Sequence, residues 1–177
     1  MSTMITKLRS LLKNCLKDSQ AYVEAESLPA AAEVRKLIQD QEPHFLKKLT
    51  STESFFVFEL VPETRQTVPD QTVAEAYCNA LKSLPADWWG LPGGTATENA
   101  QHLLSQPEIT GCLVKLLDNT DQLRYVDGES NTLAKVHQWQ VSDLAAGFLS
   151  SLSQQDFDAD ASVRDRAAVK QRLKRGG

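Results

Sequence analysis

Apolar residues recur at helical spacing in several parts of the chain. Between residues 3 and 19, leucines and isoleucine at intervals of three and four alternate with basic residues, which predicts an amphipathic helix. A second helix is predicted from about Leu28, with Pro29 in its first turn, and Pro43 breaks or bends it. Hydroxyl residues three positions before a glutamate predict further helix starts at Thr72 and Thr95. Ser142 and Asp143 predict the start of another helix.

Other apolar segments have the composition of strands. Residues 55–61 contain three Phe and two Val and predict a strand buried on at least one face. Residues 111–117, 122–126 and 132–139 are short apolar segments separated by turns rich in Asp and Asn, a pattern typical of a three-stranded meander. The predicted fold class is therefore α+β, with an antiparallel sheet covered by several helices.

The predicted organisation is one domain with an appended tail. The chain has 177 residues, a length that suits one domain better than two. We expect a single domain over residues 1–155, with a helical part at 1–50 and a sheet-containing part at 51–155. Residues 156–177, first acidic and then basic, are expected to form a tail.

Charge is distributed unevenly along the chain. The net charge is −4, yet residues 1–17 carry four Lys or Arg without an acid, and residues 162–177 carry six against one acid. The region between them is strongly acidic and should repel nucleic acid while attracting basic protein partners. Contact with nucleic acid or an anionic membrane would fall to the basic ends. The candidate contacts in the tail are Arg164, Arg166, Lys170, Arg172, Lys174 and Arg175.

Cysteine usage and the absence of targeting signals favour a cytoplasmic protein. The three cysteines are too few for a disulfide scaffold, so a reducing compartment is the simpler interpretation. The start of the chain lacks the apolar core of a secretory signal, although a basic amphipathic start also fits an organellar transit peptide. No apolar run approaches the eighteen or so residues that a membrane span needs.

The most unusual segment is the loop at residues 85–94, PADWWGLPGG. Adjacent side chains in an extended segment point in opposite directions, so one of its two indoles is expected to face outward. Tryptophan is enriched at the energetic centres of protein interfaces. The candidate partner-binding residues are Trp88, Trp89, Asp87 and Leu91.

The glycines of the same loop suggest a second kind of site. Gly93, Gly94 and Thr95 could offer backbone N–H groups at a helix start to an anion. His102 would then be an acid or base close to that pocket. No motif with catalytic or metal-ligand spacing occurs, so no catalytic residue, metal ligand or cofactor is predicted.

These patterns favour a small, non-enzymatic protein-binding module of the adaptor, accessory-chaperone or immunity-inhibitor type. One alternative is an enzyme or small-ligand binder with its site at the loop of residues 90–94 and the helix start after it. Another is attachment to nucleic acid or an anionic membrane through the basic ends. The partner's identity and any self-association are left open.

Overall fold

The computed structural model describes residues 43–176, together with Thr6, Arg9, Ser10, Ala32, Arg35, Lys36, Ile38 and Gln39. The chain divides into two compact units, Met1–Ser83 and Leu84–Gly177. Most of the helices predicted at residues 3–19 and from Leu28 lies outside the described residues. The described positions within them are helical.

The described part of the chain is helical and contains no strand or sheet, so the predicted α+β class is wrong. The nearest feature to a sheet is one isolated antiparallel bridge between Gln122 and Gln140. Both the early strand and the late meander are replaced by helices over most of their length.

In the first unit, two helices pack against each other. A 3₁₀ helix, Pro43–Lys48, precedes α1, Ser51–Leu60. A second 3₁₀ helix, Pro62–Thr67, then leads into α2, Asp70–Ser83. The phenyl ring of Phe55 meets the ring of Tyr77 edge to face, with centroids 5.1 Å apart.

Helix α1 occupies the segment predicted as a strand. A capping box starts it: the Thr50 hydroxyl accepts from the Glu53 N–H at 3.2 Å, and the Glu53 carboxylate accepts from the Thr50 N–H at 2.9 Å. Residues Phe55–Phe58 are all buried, so this turn of α1 is enclosed on every side. A helix enclosed in this way has no amphipathic period, and its composition resembles that of a buried strand.

The second unit contains five α-helices among its described residues. A short 3₁₀ helix, Ala86–Trp88, lies in the tryptophan loop. The α-helices are α3, Glu98–Leu104; α4, Ile109–Leu116; α5, Gly128–Val136; α6, Val141–Ser153; and α7, Val163–Gly176.

Helices α4 and α5 replace two of the three predicted meander strands. Ile109, Leu113 and Leu116 are buried at intervals of four and three residues, which is the spacing of a helix face. Asp127 begins α5 because its side chain accepts from the Ser130 N–H at 2.7 Å. The Asp-Gly pair at residues 127–128 is therefore a helix start and not a hairpin turn.

Helix α6 is the centre of the second unit, and residues 141–150 are all buried. Helices α4 and α7 both pack against it. Helix α7 belongs to the segment predicted as a tail, and Leu173 and Arg166 are buried on its inner side. The single-domain boundary at residues 1–155 stays a prediction beside this division into two units.

Candidate functional site

The second unit has a pocket of about 370 Å³. Three segments form it: the loop at residues 91–94, the end of α5 with the turn after it, and the segment between α6 and α7. We call it the His137 pocket, lined by Leu91, Pro92, Gly93, Gly94, Leu133, His137, Trp139, Phe157, Asp158, Ala159 and Asp160.

The glycine loop forms one wall of the pocket and is held by backbone contacts. The N–H of Gly94 donates to the carbonyl of Leu91 at 3.0 Å. The Tyr125 hydroxyl donates to the carbonyl of Gly90 at 3.0 Å. Burial first, and the nearby Asp87 charge second, raise the pKa of Tyr125, so the phenol stays a donor.

The loop approaches α6 at Gly147. A Cβ atom added there would lie only 2.7 Å from the backbone nitrogen of Gly93, closer than such atoms can approach. Gly93 itself has φ of +70°, a conformation that glycine adopts without strain. The two glycines together fix how closely this wall of the pocket lies against the helix.

Two stacked rings form a second wall. The imidazole of His137 stacks on the indole of Trp139, with centroids 5.2 Å apart and planes 16° from parallel. The Trp139 indole N–H donates to the carbonyl of Ala159 at 2.8 Å. The carbonyl of His137 accepts from the Arg166 guanidinium at 2.6 Å. These bonds fix both rings against the segment that carries the third wall.

Two carboxylates lie on the third wall. Asp158 accepts from the backbone N–H of Asp160 through Oδ1 at 2.9 Å. Asp160 Oδ1 lies 3.6 Å from His137 Nε2, and the Asp160 side chain is 72% exposed. The pocket is thus open to solvent on its acidic side, which a ligand can approach directly.

The predicted partner-binding indoles are buried. Trp88 and Trp89 are 2% and 0% exposed, so the expectation that one of them faces outward is wrong.

The other two predicted partner-binding residues differ in role. Asp87 accepts from the backbone N–H groups of Val126 and Asp127 through its two carboxylate oxygens, and these bonds hold the loop in place. Leu91 is 37% exposed and lines the His137 pocket. A role for the loop in partner binding stays a prediction, now centred on Leu91.

The predicted anion site has a different geometry from the one expected. The helix start predicted at Thr95 is wrong, because α3 begins at Glu98. The hydroxyl of Thr97 caps this helix by accepting from the Ala100 N–H at 3.2 Å.

The N–H of Gly94 is already donated within the loop. Gly93 and Gly94 do line a pocket, but the histidine beside them is His137 and not His102. The two aspartates of the pocket also disfavour an anion.

The basic residues of the predicted tail divide into two sets. The first set forms ion pairs within the unit. Arg166 and Lys170 both pair with Asp143, and Lys174 pairs with Asp118. Arg164, Arg172 and Arg175 are exposed. Their positions, eight and three residues apart, place them on one face of α7.

Cys78 and Cys112 are both disulfide-bonded. The argument from cysteine usage to a reducing compartment therefore loses its support.

Within the described ranges, no group of three or more His, Cys, Asp or Glu side chains is arranged to hold a metal ion. No helix there is both long and apolar enough to cross a membrane.

Sequence reasoning missed most of the polar side chains of the pocket. His137 and Trp139 stand two residues apart, and about twenty residues separate them from Asp158 and Asp160. No local motif joins the two segments, and only the packing of α5, α6 and α7 brings them together. The alternation of acids in residues 156–160 was visible, but it indicated a solvated tail.

No family model, curated protein sequence or solved structure matches this chain.

Proposed function

We propose that this chain is a protein-binding module that takes a short segment of its partner into the His137 pocket. One observation carries the proposal: exposed leucines stand at the edge of a concave, partly polar pocket. Leu91 and Leu133 are 37% and 36% exposed, and both line the pocket. Apolar side chains exposed around a pocket are typical of interaction sites, because a partner that covers them removes them from water.

The apolar surface extends beyond the pocket along α5. Val136 is 69% exposed and lies three residues after Leu133, so the two side chains share a face of the helix. A bound segment could cover both side chains and place one of its own side chains in the pocket. Such an anchor in a pocket with surrounding apolar contacts is the usual arrangement of energetic hot spots.

The chemistry of the lining residues favours binding over catalysis. The lining contains no Ser, Thr, Cys, Lys or Tyr, so it supplies no hydroxyl, thiol or amine that His137 could activate as a nucleophile. The His137–Asp160 pair could serve as an acid or base toward a small molecule, which is the alternative function. A ligand-induced rise in melting temperature with metabolites, and none with peptides, would favour that alternative.

Selection of peptides from a random nonapeptide phage library tests the proposal. The full chain serves as bait, and ¹⁵N-labelled chain is then titrated with synthetic forms of the enriched peptides. We expect the amide signals of the pocket segments to shift and the Leu133→Asp variant to lose the affinity. Val163→Asp is the matched control, since Val163 is also exposed but lies outside the pocket. The proposal fails if no peptide is enriched, or if the enriched peptides shift other signals.

A second candidate function is contact with nucleic-acid phosphates through α7. It is favoured by the exposed Arg164, Arg172 and Arg175, for which the described part of the chain shows no ion pair. Replacing all three by Gln should reduce the slope of log affinity against log salt for a DNA duplex by about 2 to 3. Anionic vesicles form a separate arm of that measurement. An unchanged slope in both arms would remove this candidate.

A further inference from the structure

The His137 pocket carries negative charge on one wall and no basic side chain apart from its histidine. Its ionisable lining residues are His137, Asp158 and Asp160, and no Lys or Arg is among the lining residues. Asp158 and Asp160 are both exposed, so their charges face the solvent from which a ligand arrives. Residues 84–177 also carry twelve acidic against nine basic residues, which favours the approach of a cation.

Both carboxylates retain the capacity to accept further hydrogen bonds. Oδ1 of Asp158 accepts from a backbone N–H, and Oδ1 of Asp160 faces the imidazole of His137. In the described part of the chain, no hydrogen bond reaches Oδ2 of either residue. An ionised carboxylate accepts several hydrogen bonds, so each can take an ammonium or guanidinium donor without losing its present contact.

The other walls suit the stem of a long basic side chain. Lys and Arg carry three or four methylene groups that pack on apolar surface while the charged head stays in a polar region. Leu91 and Leu133 offer that apolar surface at the rim, and His137 with Trp139 beneath it offers a flat ring. The pocket volume of about 370 Å³ exceeds what one such side chain occupies.

We infer that the His137 pocket binds a Lys or Arg side chain of a partner segment that also carries apolar residues next to it. The head of that side chain bonds Asp158 and Asp160, its stem lies along His137 and Leu133, and the neighbouring apolar residues cover Leu91 and Val136. The inference rests on the proposed function and adds the chemical class of the partner: a basic, partly apolar peptide segment.

Three tripeptides that differ at one side chain test the inference. They are Ac-Leu-Lys-Leu-NH₂, the same peptide with norleucine for lysine, and the same peptide with glutamate for lysine. Norleucine keeps the four-carbon stem and removes the charge. Titration of the ¹⁵N-labelled full chain at low salt gives the affinities. We expect the order lysine, norleucine, glutamate, with the lysine peptide alone weakening as salt is added.

Variants of the two carboxylates assign the effect to the pocket. Asp160→Asn should weaken the lysine peptide by about fivefold, the value of a largely exposed ion pair, and should leave the norleucine peptide unchanged. Asp156→Asn is the matched control, because Asp156 is exposed on the same segment but does not line the pocket.

Equal affinities for the lysine and norleucine peptides, or equal effects of Asp156→Asn and Asp160→Asn, would overturn the inference. So would the absence of binding by all three peptides. The proposed function survives each of these outcomes if phage-selected peptides without basic residues still bind the pocket. The proposed function itself fails only if no phage-selected peptide binds the His137 pocket.

Discussion

Arg166 donates its Nε–H to Oδ1 of Asp143 at 3.0 Å, and the two side chains are only 3% and 1% exposed. The rest of the guanidinium donates to the carbonyls of Ala159, Ala161 and His137. Lys170 donates to the same Oδ1 of Asp143 at 2.7 Å. One arginine of α7 therefore joins α6, the end of α5 and the segment that carries Asp158 and Asp160.

The first prediction concerns this buried arginine. Arg166→Met should lower the free energy of unfolding of the second unit by about 3–5 kcal/mol, because Asp143 loses a buried partner and three carbonyls lose a donor. Arg164→Met is the control: Arg164 lies on the same helix but is exposed, and about 0.5 kcal/mol or less is expected. Urea denaturation followed by circular dichroism gives both values. Costs within 1 kcal/mol of each other would contradict the structural role of Arg166.

The second prediction concerns the capping box of α1. Thr50→Ala should cost about 1 kcal/mol of stability, because the N–H of Glu53 then loses the hydroxyl that accepts it. Ser51→Ala is the control, since Ser51 is exposed at the first position of the same helix. Equal denaturation midpoints for the two variants would show that the box contributes little to α1.

The sequence contains a helix-start pattern just before residues 55–61, although their composition predicts a strand. Thr50 and Glu53 stand three residues apart ahead of residues 55–61, and their capping box starts α1. The same spacing at Thr72 and Glu75 predicts a helix start that falls inside α2, which begins at Asp70. Likewise, Asp127 before Gly128 fits a turn and an N-cap equally well, because both uses depend on a short side chain that accepts a backbone N–H. Local composition could not separate these alternatives, and at α1 burial on all sides removed the amphipathic period that marks a helix.

The pocket was only partly predictable. The sequence marks the loop at residues 85–94 as unusual, and Leu91, Gly93 and Gly94 of that loop do line the pocket. The burial of both indoles could not be predicted, because it depends on which helices cover the loop. His137 and Asp160 meet through the packing of α7 on α6, and that packing depends on a buried Arg166, which composition alone identifies as a tail charge.

The third prediction concerns two glycines in helices. Gly147→Ala should cost about 1–3 kcal/mol, because the added methyl group would lie against the backbone of Gly93. Gly111→Ala makes the same change in α4, where the added Cβ would have no atom within 4 Å apart from its own stretch of helix. This variant should stabilise the chain by about 0.5–1 kcal/mol. Thermal unfolding of the two variants should therefore shift in opposite directions. The Gly147→Ala variant should also show weaker peptide binding, since Gly93 lines the pocket.

The last prediction concerns alkaline pH. The pKa of Tyr77 is raised by burial first, and then by the charge and hydrogen bond of Glu59. The pKa of Tyr125 is raised by burial first, and then by the charge of Asp87. A tyrosine whose pKa is higher in the folded state stabilises that state fully below its unfolded pKa of about 10. The stabilisation is lost as the pH rises from that value toward the folded pKa, because the unfolded chain releases its protons first.

The chain has three tyrosines, so absorbance near 295 nm should show two of them ionising together with unfolding and not before it. Tyr77→Phe tests the assignment in the first unit. Its hydroxyl donates to the buried Glu59 carboxylate, which also accepts from Arg65 at 3.0 Å. The substitution should remove one of the two late-ionising groups and cost about 1–3 kcal/mol at neutral pH, the value of a donor lost from a buried acceptor. Full ionisation of all three tyrosines while circular dichroism still reports the folded helices would contradict the burial of Tyr77 and Tyr125.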